Sequence, residues 1–467
     1  MLGASVAATR SPACALRLAQ HMFGTLLCPE KSTVSNLVCA RGGQHGDWTA
    51  DYRLYSRDGR VDESKLFGAV RRELLAHLPP DQALVVGLDD TIVRKSGRHI
   101  HGAGFKRDPL GPAFQTNLVM AQRYLQLSAA WPLPGGGARL VPLDFLHAPT
   151  PAKPPKKAAP QDQRAYREQL KQHNLNRQAL GRIRQLREDL PAARRLVLNG
   201  DGSYTNKTIL RGLPEGCVYI GRTRKDCALH HPPAGPLAAT GRRPVYGAPA
   251  PTPEELRSDD SVPWQTVRVF AAGKSHQVRL KTLGPVLWRK TGAAMPLRVV
   301  VIAPLAYRLR KGSKLLYRQP AYLLCTDPDL PLQQFVQWYF WRWGIEVNFR
   351  EEKTLVGTGQ AHVRTEPSNQ HLPAVTVAAY AMLWAAALAA IADYGTLPCL
   401  RPPKWRQPPS GDHPLPSTGE LLRLLRHEVW AGALHPDTFG HFVTHPPDDA
   451  KLEKLIPNLP ASLFDAA

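Results

Sequence analysis

The chain of 467 residues carries 60 lysines and arginines against 38 aspartates and glutamates, a formal net charge of +22. Such an excess is typical of proteins that bind polyanions, most often nucleic acids, although an arginine-rich composition alone could also produce it. The seven cysteines are scattered and contain no Cys-x-x-Cys pair. We therefore expect neither a disulfide framework nor a zinc site. The cysteine pattern fits a protein of a reducing compartment.

Residues 1–80 are predicted to form a helical N-terminal domain. Thr33 can cap one helix, and Asp62 opens another that stops before Pro79. Residues 1–27 are mildly apolar, but two arginines interrupt them, so no secretory signal is expected.

Residues 81–225 alternate strand and helix patterns, which predicts the first part of an α/β core. The apolar run 83–88 is typical of a strand buried on both faces, and it is expected to end at Asp89. Further strands are predicted at about 115–127 and 138–146.

The second half of this region begins with a Pro/Lys-rich loop at 147–162. One long basic helix is predicted over 163–188, where it could bind a nucleic-acid backbone or form a solvated outer helix. A second buried strand, 195–198, ends just before Asp201. A short helix and another strand follow.

The rest of the chain is predicted to insert β-structure and then return to the core. Residues 226–330 contain strand patterns between proline-rich turns, so we expect a β-rich insertion. Residues 331–395 supply core helices, among them an alanine-rich stretch at 374–392 that is long enough to span a bilayer. It lacks flanking anchors and is interpreted as a buried core helix. Residues 396–467 are predicted to be a proline-rich linker and a C-terminal helical tail.

Four reactive side chains recur at helical spacing: Tyr339, Arg342, Glu346 and Lys353, at offsets 0, 3, 7 and 14. On one continuous helix they would share an arc of about 60°. An ordinary amphipathic helix would place apolar residues along such a stripe. A carboxylate between cations instead indicates a site that handles metal and phosphate.

Three carboxylates stand out by their position: Asp89 and Asp201 at predicted strand ends, and Glu346 on the helix. Strand ends form the edge of an α/β sheet where active sites tend to lie. Three carboxylates brought together would repel one another, and a divalent cation would remove that conflict. Oxygen ligands favour Mg²⁺ or Mn²⁺ over zinc.

Other polar residues receive plainer interpretations. Asp90 competes with its neighbour for the role of first ligand. Glu351 and Glu352 are expected to be surface charges, because they point away from the Arg–Lys face. His99 and His101 have no third soft ligand nearby and are interpreted as loop or strand residues.

These motifs resemble those of the DDE transposases of bacterial insertion sequences, within the RNase H-like superfamily. The four-residue stripe matches the Tyr-x2-Arg-x3-Glu-x6-Lys motif of one group without a gap. Asp89-Asp90-Thr91 resembles the Asp-x-Thr motif around the first aspartate, and Asp201-Gly-Ser-Tyr204 resembles the second. The long β-rich gap before Glu346 also matches, and the resemblance covers roughly residues 30–395.

The resemblance implies an RNase H-like catalytic core that performs cut-and-paste DNA transposition by strand cleavage and strand transfer. It implies that two Mg²⁺ (or Mn²⁺) ions are held by Asp89, Asp201 and Glu346. It further implies that the DNA backbone is contacted by Tyr339, Arg342 and Lys353.

The expected partners are double-stranded DNA, as terminal inverted repeats and as target, with a dimer on DNA and no membrane. The expected location is the cytoplasm, in association with the nucleoid of a bacterium. The helical N-terminal domain could recognise the element's end, although no helix-turn-helix pattern identifies recognition residues. Two alternatives stay open: a related metal-dependent nuclease that cuts without integration, and an inactivated DNA-binding derivative.

Overall fold

The computed structural model describes residues 1–57, 59–97, 99–109, 111–112, 114–234, 244–291, 295–310, 312–395, 397 and 415–430. Most of the predicted proline-rich linker and the part of the predicted tail after residue 430 lie outside this range. The described part is a mixed α/β structure, as predicted.

Five helices begin the chain: α1 (Leu2–Ala8), α2 (Pro12–Leu27), α3 (Val34–Ala40), α4 (Thr49–Ser56) and α5 (Glu63–Ala76). The predicted cap of α3 is confirmed, because the side chain of Thr33 accepts a hydrogen bond from the backbone N–H of Asn36. Asp62 precedes α5 as predicted, although its side chain makes no capping bond to the helix.

The strands are β1 (Leu84–Arg94), β2 (Gly104–Arg107), β3 (Leu118–Pro132), β4 (Ala138–His147), β5 (Leu196–Gly200), β6 (Cys217–Arg222), β7 (Leu229–His230), β8 (Pro249–Ala250), β9 (Gln265–Ala271), β10 (Lys274–Trp288), β11 (Leu297–Ile302), β12 (Ala306–Tyr307), β13 (Leu316–Tyr317) and β14 (Ala321–Cys325). Within the described chain, twelve of them form one sheet in the order β2-β3-β1-β5-β6-β14-β11-β10-β7-β8, with β4 on β3 and β9 on β10. β12 and β13 pair separately.

The centre of the sheet is parallel. β1 pairs with β5 and β5 pairs with β6, and both pairs run parallel. Their crossovers contain α6 (Pro160–Gln172), α7 (Leu175–Glu188) and α8 (Lys207–Gly212). Because these strands point the same way, their carboxyl ends meet at one edge of the sheet.

The first strand is longer than predicted. Its parallel pairing with β5 stops at Leu88, opposite Gly200. Its antiparallel pairing with β3 continues through Asp89 as far as Arg94. Asp89 therefore lies inside β1 and not at its end, but it directly follows the last residue that pairs with β5.

The predicted single basic helix is in fact two, α6 and α7. The chain turns at His173 and Asn174, and the Asn174 side chain accepts hydrogen bonds from the backbone N–H groups of Asn176 and Arg177. An asparagine that caps a new helix is the local cause of the break.

Apart from β12 and β13, the described strands of residues 226–330 extend the same sheet. β14 lies between β6 and β11, and both pairings are antiparallel. A short helix, α9 (Pro253–Ser258), packs beside β10 and β11. The division of the chain into a core and an insertion stays a prediction.

Four more helices complete the described chain: α10 (Leu332–Trp341), α11 (Gly344–Thr354), α12 (Glu366–Tyr394) and α13 (Thr418–Trp430). Among the described residues, α12 is the one helix long and apolar enough to cross a membrane. Of its apolar window, 72% is buried inside the protein, with Tyr380 and Trp384 fully enclosed. The prediction of a buried core helix is confirmed.

Candidate active site

The first candidate carboxylate, Asp89, is paired with a cation of the predicted motif. Arg342 Nη1 lies 2.8 Å from Asp89 Oδ2, and both side chains are largely buried. Gly87 packs beside this pair: a Cβ built there would lie 3.2 Å from Leu140 and at an ordinary contact distance of 3.8 Å from Arg342. Asp89 Oδ1 accepts the backbone N–H of Asp90 at 2.9 Å.

The second carboxylate, Asp201, directly follows β5, as predicted. Its Oδ1 accepts the backbone N–H of Ser203 at 2.8 Å, so it shapes the turn that begins there. Since Leu88 is level with Gly200, Asp89 and Asp201 occupy equivalent positions on neighbouring strands. A turn residue and a site residue are thus compatible roles for Asp201.

The third carboxylate, Glu346, lies in the first turn of α11. Burial raises the pKa of Asp89 to about 7, while Arg342 and the N–H of Asp90 oppose this rise and the negative charges of Asp201 and Glu346 add to it. The three carboxylates are therefore close enough to interact electrostatically.

The helix that carries the motif is interrupted, so the predicted continuous stripe is wrong. Two residues, Arg342 and Trp343, separate α10 from α11. Backbone bonds of the i→i−3 type join Arg342 to Tyr339, Trp343 to Phe340 and Glu346 to Trp343, each at 3.2 Å. Such bonds tighten a helix to about three residues per turn, which rotates Glu346 away from a straight line with Tyr339.

The motif side chains nevertheless gather along one strand. Lys353 Nζ donates a hydrogen bond of 2.6 Å to Thr91 Oγ1, two residues beyond Asp89 in β1. Burial lowers the pKa of Lys353, an effect that Glu352 and Glu346 oppose. The ring of Tyr339 lies 5.8 Å from the guanidinium carbon of Arg342. The cations of the motif thus border the carboxylates.

Asp90 is held elsewhere. Its Oδ1 accepts the hydroxyl of Tyr204 at 2.8 Å, and its Oδ2 lies 3.2 Å from Nε of Arg123. Successive side chains of a strand point to opposite faces, so Asp90 turns away from Arg342 and Glu346. One oxygen of Asp90 thus accepts a hydrogen bond and the other is in an ion pair.

Glu351 and Glu352 are buried, so the prediction of surface charges is wrong. Glu351 forms an ion pair with Arg139 and accepts the hydroxyls of Tyr380 and Thr418. The guanidinium of Arg139 in turn lies 3.8 Å from the ring centre of Trp384. Residues of β4, α12 and α13 therefore enclose this face of α11.

Glu352 is 1% exposed, and its Oε1 accepts Nε2 of Gln126 at 2.9 Å. Burial raises the pKa of Glu352 to about 8, although the hydrogen bond from Gln126 and the charges of Lys353 and Arg139 act to lower it. Helix spacing alone could not identify either glutamate as buried, because Gln126 and Arg139 lie more than 200 positions earlier in the chain.

The histidines behave as predicted. His99 and His101 lie in the loop between β1 and β2, and Nε2 of His101 is 3.5 Å from the Glu366 carboxylate. In the described chain, no three His, Cys, Asp or Glu side chains converge closely enough to surround a metal ion.

Asp89, Asp201 and Glu346 do not converge closely enough in the described structure to surround a metal ion, so the fit of a divalent cation rests on their chemistry. An oxygen-only donor set suits Mg²⁺ or Mn²⁺. A cation would also stabilise the charged form of Asp89, whose pKa is raised mainly by burial and further by the other two carboxylates. In the described structure, the Arg342 guanidinium supplies part of that charge.

The carboxyl ends of the parallel strands carry acidic groups, and cations border these groups. Such an arrangement is suited to phosphate chemistry. The chain belongs to the DDE superfamily endonuclease family, whose model matches residues 11–295. The matched region includes Asp89 and Asp201 and ends before Glu346. A search of the curated proteins found no match to this chain.

Membership of this family confirms the predicted relationship to DDE transposases and supports a DNA-cleaving function. The assignment to the group with the Tyr–Arg–Glu–Lys motif stays a prediction.

Proposed function

We propose that the chain is a DNA transposase that moves an insertion sequence by cut-and-paste, through strand cleavage followed by strand transfer. The observation that carries the proposal is the family match over a region in which strand pairing sets Asp89 beside Asp201. The Tyr–Arg–Glu–Lys spacing, absent from an ordinary surface helix, supports the same function.

Asp89, Asp201 and Glu346 would hold Mg²⁺ or Mn²⁺, in the proposed active form two ions. Such ions activate a water or a 3′-hydroxyl and stabilise the leaving oxygen of a phosphoryl displacement. Asp89 is preferred to Asp90 as the first ligand, because Asp90 is occupied by Tyr204 and Arg123 while Asp89 faces Glu346 and Asp201.

The protein's own cations position the substrate. Arg342 holds Asp89 in its buried orientation, and its remaining guanidinium donors can bind a backbone phosphate. Lys353 is fixed by Thr91 and supplies a second positive charge on the same side. Tyr339 packs against Arg342 and supports the same contact. These groups bind phosphate without reading sequence.

The proposed substrates are the terminal inverted repeats of the element and a target duplex, bound by a dimer in the bacterial cytoplasm. The excess of 22 positive charges supports attraction to DNA. The location follows from the substrate, and the buried state of α12 supports it.

The test is a cleavage and joining assay with a labelled duplex that ends in the repeats flanking the gene, in the presence of Mg²⁺ or Mn²⁺. The wild type should release the end and join it to a target. Glu346→Gln should lose both reactions, whereas Glu188→Gln, on the exposed end of α7, should keep them. Cleavage without joined product would favour the nuclease, and full activity of Glu346→Gln would refute the proposed site.

A further inference from the structure

A cleft continues the candidate active site along the sheet. It has a volume of about 580 Å³ and lies between the end of β6, the neighbouring strand β14 and α9. Gly221 of β6 is level with Gly200 of β5, so Arg222 occupies on β6 the position that Asp201 occupies after β5. Arg222 is also level with Leu323 of β14. The cleft thus begins one strand away from the carboxylates.

The wall of the cleft is positively charged. Arg224 forms two hydrogen bonds with Asp226, at 2.9 and 2.8 Å, and Arg257 forms two with Glu254, at 3.0 and 2.7 Å. These two pairs neutralise themselves. Arg222 and Lys225 also line the cleft, and neither has an acidic partner within ion-pair distance among the described residues.

Both cations are exposed, and their backbones are fixed. Lys225 lies outside ion-pair distance of Glu254 but near enough to help lower the pKa of that carboxyl. Arg222 belongs to β6, and the carbonyl of Lys225 accepts the backbone N–H of Glu254 at 3.0 Å. Arg222 is also close to α10, which carries Tyr339. Burial raises the pKa of Tyr339, and the positive charges of Arg342 and Arg222 act against this rise. Arg222 therefore continues the Tyr339–Arg342 surface, and Lys225 extends it on a fixed backbone three residues further along the chain.

The size of the cleft restricts what it can hold. Its volume lies within the range of about 300–1,000 Å³ usual for sites that enclose small ligands. A short stretch of a single DNA strand fits such a space, and positively charged grooves that follow the backbone are the usual means of binding a single strand.

We propose that this cleft binds single-stranded DNA next to the phosphate that is cleaved, with Arg222 and Lys225 on its backbone phosphates. The role of the strand as flank of the cleaved phosphate rests on the proposed function. The binding of a single strand by the cleft does not require cleavage and can be measured by itself.

The test measures the anisotropy of a fluorescein-labelled oligothymidine of about 12 nucleotides, a length within the range of about 4–16 typical of one single-strand site. The full-length protein is titrated in EDTA at several salt concentrations. The variant Arg222→Gln/Lys225→Gln is compared with Arg72→Gln/Lys274→Gln, which removes two exposed cations outside the cleft.

The cleft variant should bind the oligonucleotide about tenfold more weakly, and its salt slope should fall by about 1.4, since each phosphate contact on a single strand contributes about 0.7. The control variant should change both quantities less.

Equal affinities and salt slopes in the cleft and control variants would overturn the proposal. So would a loss of duplex binding with unchanged binding of the single strand. If the wild type cleaves no DNA but the cleft binds the strand through Arg222 and Lys225, the proposed function fails and the binding site stands. If the wild type cleaves DNA normally but the single strand binds outside the cleft, the proposed function stands and the proposed binding site fails.

Discussion

Arg342 and Asp89 form a largely buried ion pair of 2.8 Å that joins the turn between α10 and α11 to the central strand β1. Removing one partner of a buried pair leaves the other charge uncompensated. The pair therefore both fixes the fold at this point and holds the first candidate ligand in place.

The first prediction concerns this pair. Arg342→Gln should destabilise the protein by about 3 kcal/mol, because Asp89 would stay buried without its cation. Adding Asp89→Asn should recover part of this loss, since the uncompensated charge is then gone. Urea unfolding of the wild type, both single variants and the double variant measures the coupling. Strictly additive effects would show that the pair does not couple the two elements.

The second prediction concerns the pH dependence caused by Glu352. Its pKa is about 8 in the folded protein, against an ordinary value of 4.5. Between these values the folded state keeps a proton that the unfolded state has lost, so stability falls as pH rises, by about 1.4 kcal/mol per unit, and levels off above pH 8. Glu352→Gln should therefore gain stability relative to wild type as pH rises from about 4.5 to 8.

The measurement is the difference between the unfolding free energies of Glu352→Gln and wild type at a series of pH values. Taking the difference cancels the titration of other groups. A difference that does not change with pH would mean that Glu352 is charged in the folded protein.

The third prediction is the opposite behaviour of the adjacent residue. Despite burial, Arg139 and the hydroxyls of Thr418 and Tyr380 hold the pKa of Glu351 below its ordinary value. This stability is present above the ordinary pKa near 4.5 and is lost as pH falls through the lower folded value. Glu351→Gln should therefore be less stable than wild type at pH 7, by about 3 kcal/mol, as expected for one broken buried pair.

The deficit of Glu351→Gln should shrink as the pH is lowered below 4.5, which thermal unfolding across the acid range would show. A deficit that is constant down to pH 3 would mean that the charge of Glu351 contributes nothing.

The fourth prediction concerns the hydrogen bond from Lys353 to Thr91. Thr91→Val removes the acceptor and keeps the shape, so DNA cleavage should slow about tenfold, as expected for a lost hydrogen bond to a charged group of about 1.5 kcal/mol. Thr91→Ser keeps the hydroxyl and should retain most of the activity. Equal rates of DNA cleavage by Thr91→Val and Thr91→Ser would show that Thr91 does not position Lys353.

Much of the sheet and the position of Asp201 were predictable from the sequence. A short apolar run followed by Asn199, Gly200 and Asp201 combines a strand pattern with a strong turn former, and both signals are local. The end of β1 was not predictable in this way. The strand continues past Asp89 because β3 pairs with it, and that partner is not visible in the residues around Asp89.

The motif shows the same limit. Spacing alone identifies the four residues of the motif, Tyr339, Arg342, Glu346 and Lys353. It does not show that the helix is interrupted at Arg342, where the side chain pairs with Asp89 of β1. The burial of Glu352 likewise depends on a strand far away in sequence. Local spacing identifies which residues belong together, and tertiary contacts decide how they are oriented.

The most direct test of the central claim is a titration of the protein with Mn²⁺, followed by the loss of the free-ion signal in electron paramagnetic resonance. If Asp89, Asp201 and Glu346 share a metal site, Asp89→Asn, Asp201→Asn and Glu346→Gln should each weaken Mn²⁺ binding at least tenfold, by about 1.4 kcal/mol or more. Asp90→Asn should bind as the wild type does. Wild-type binding by Glu346→Gln, or a loss caused by Asp90→Asn and not by Asp89→Asn, would contradict the account.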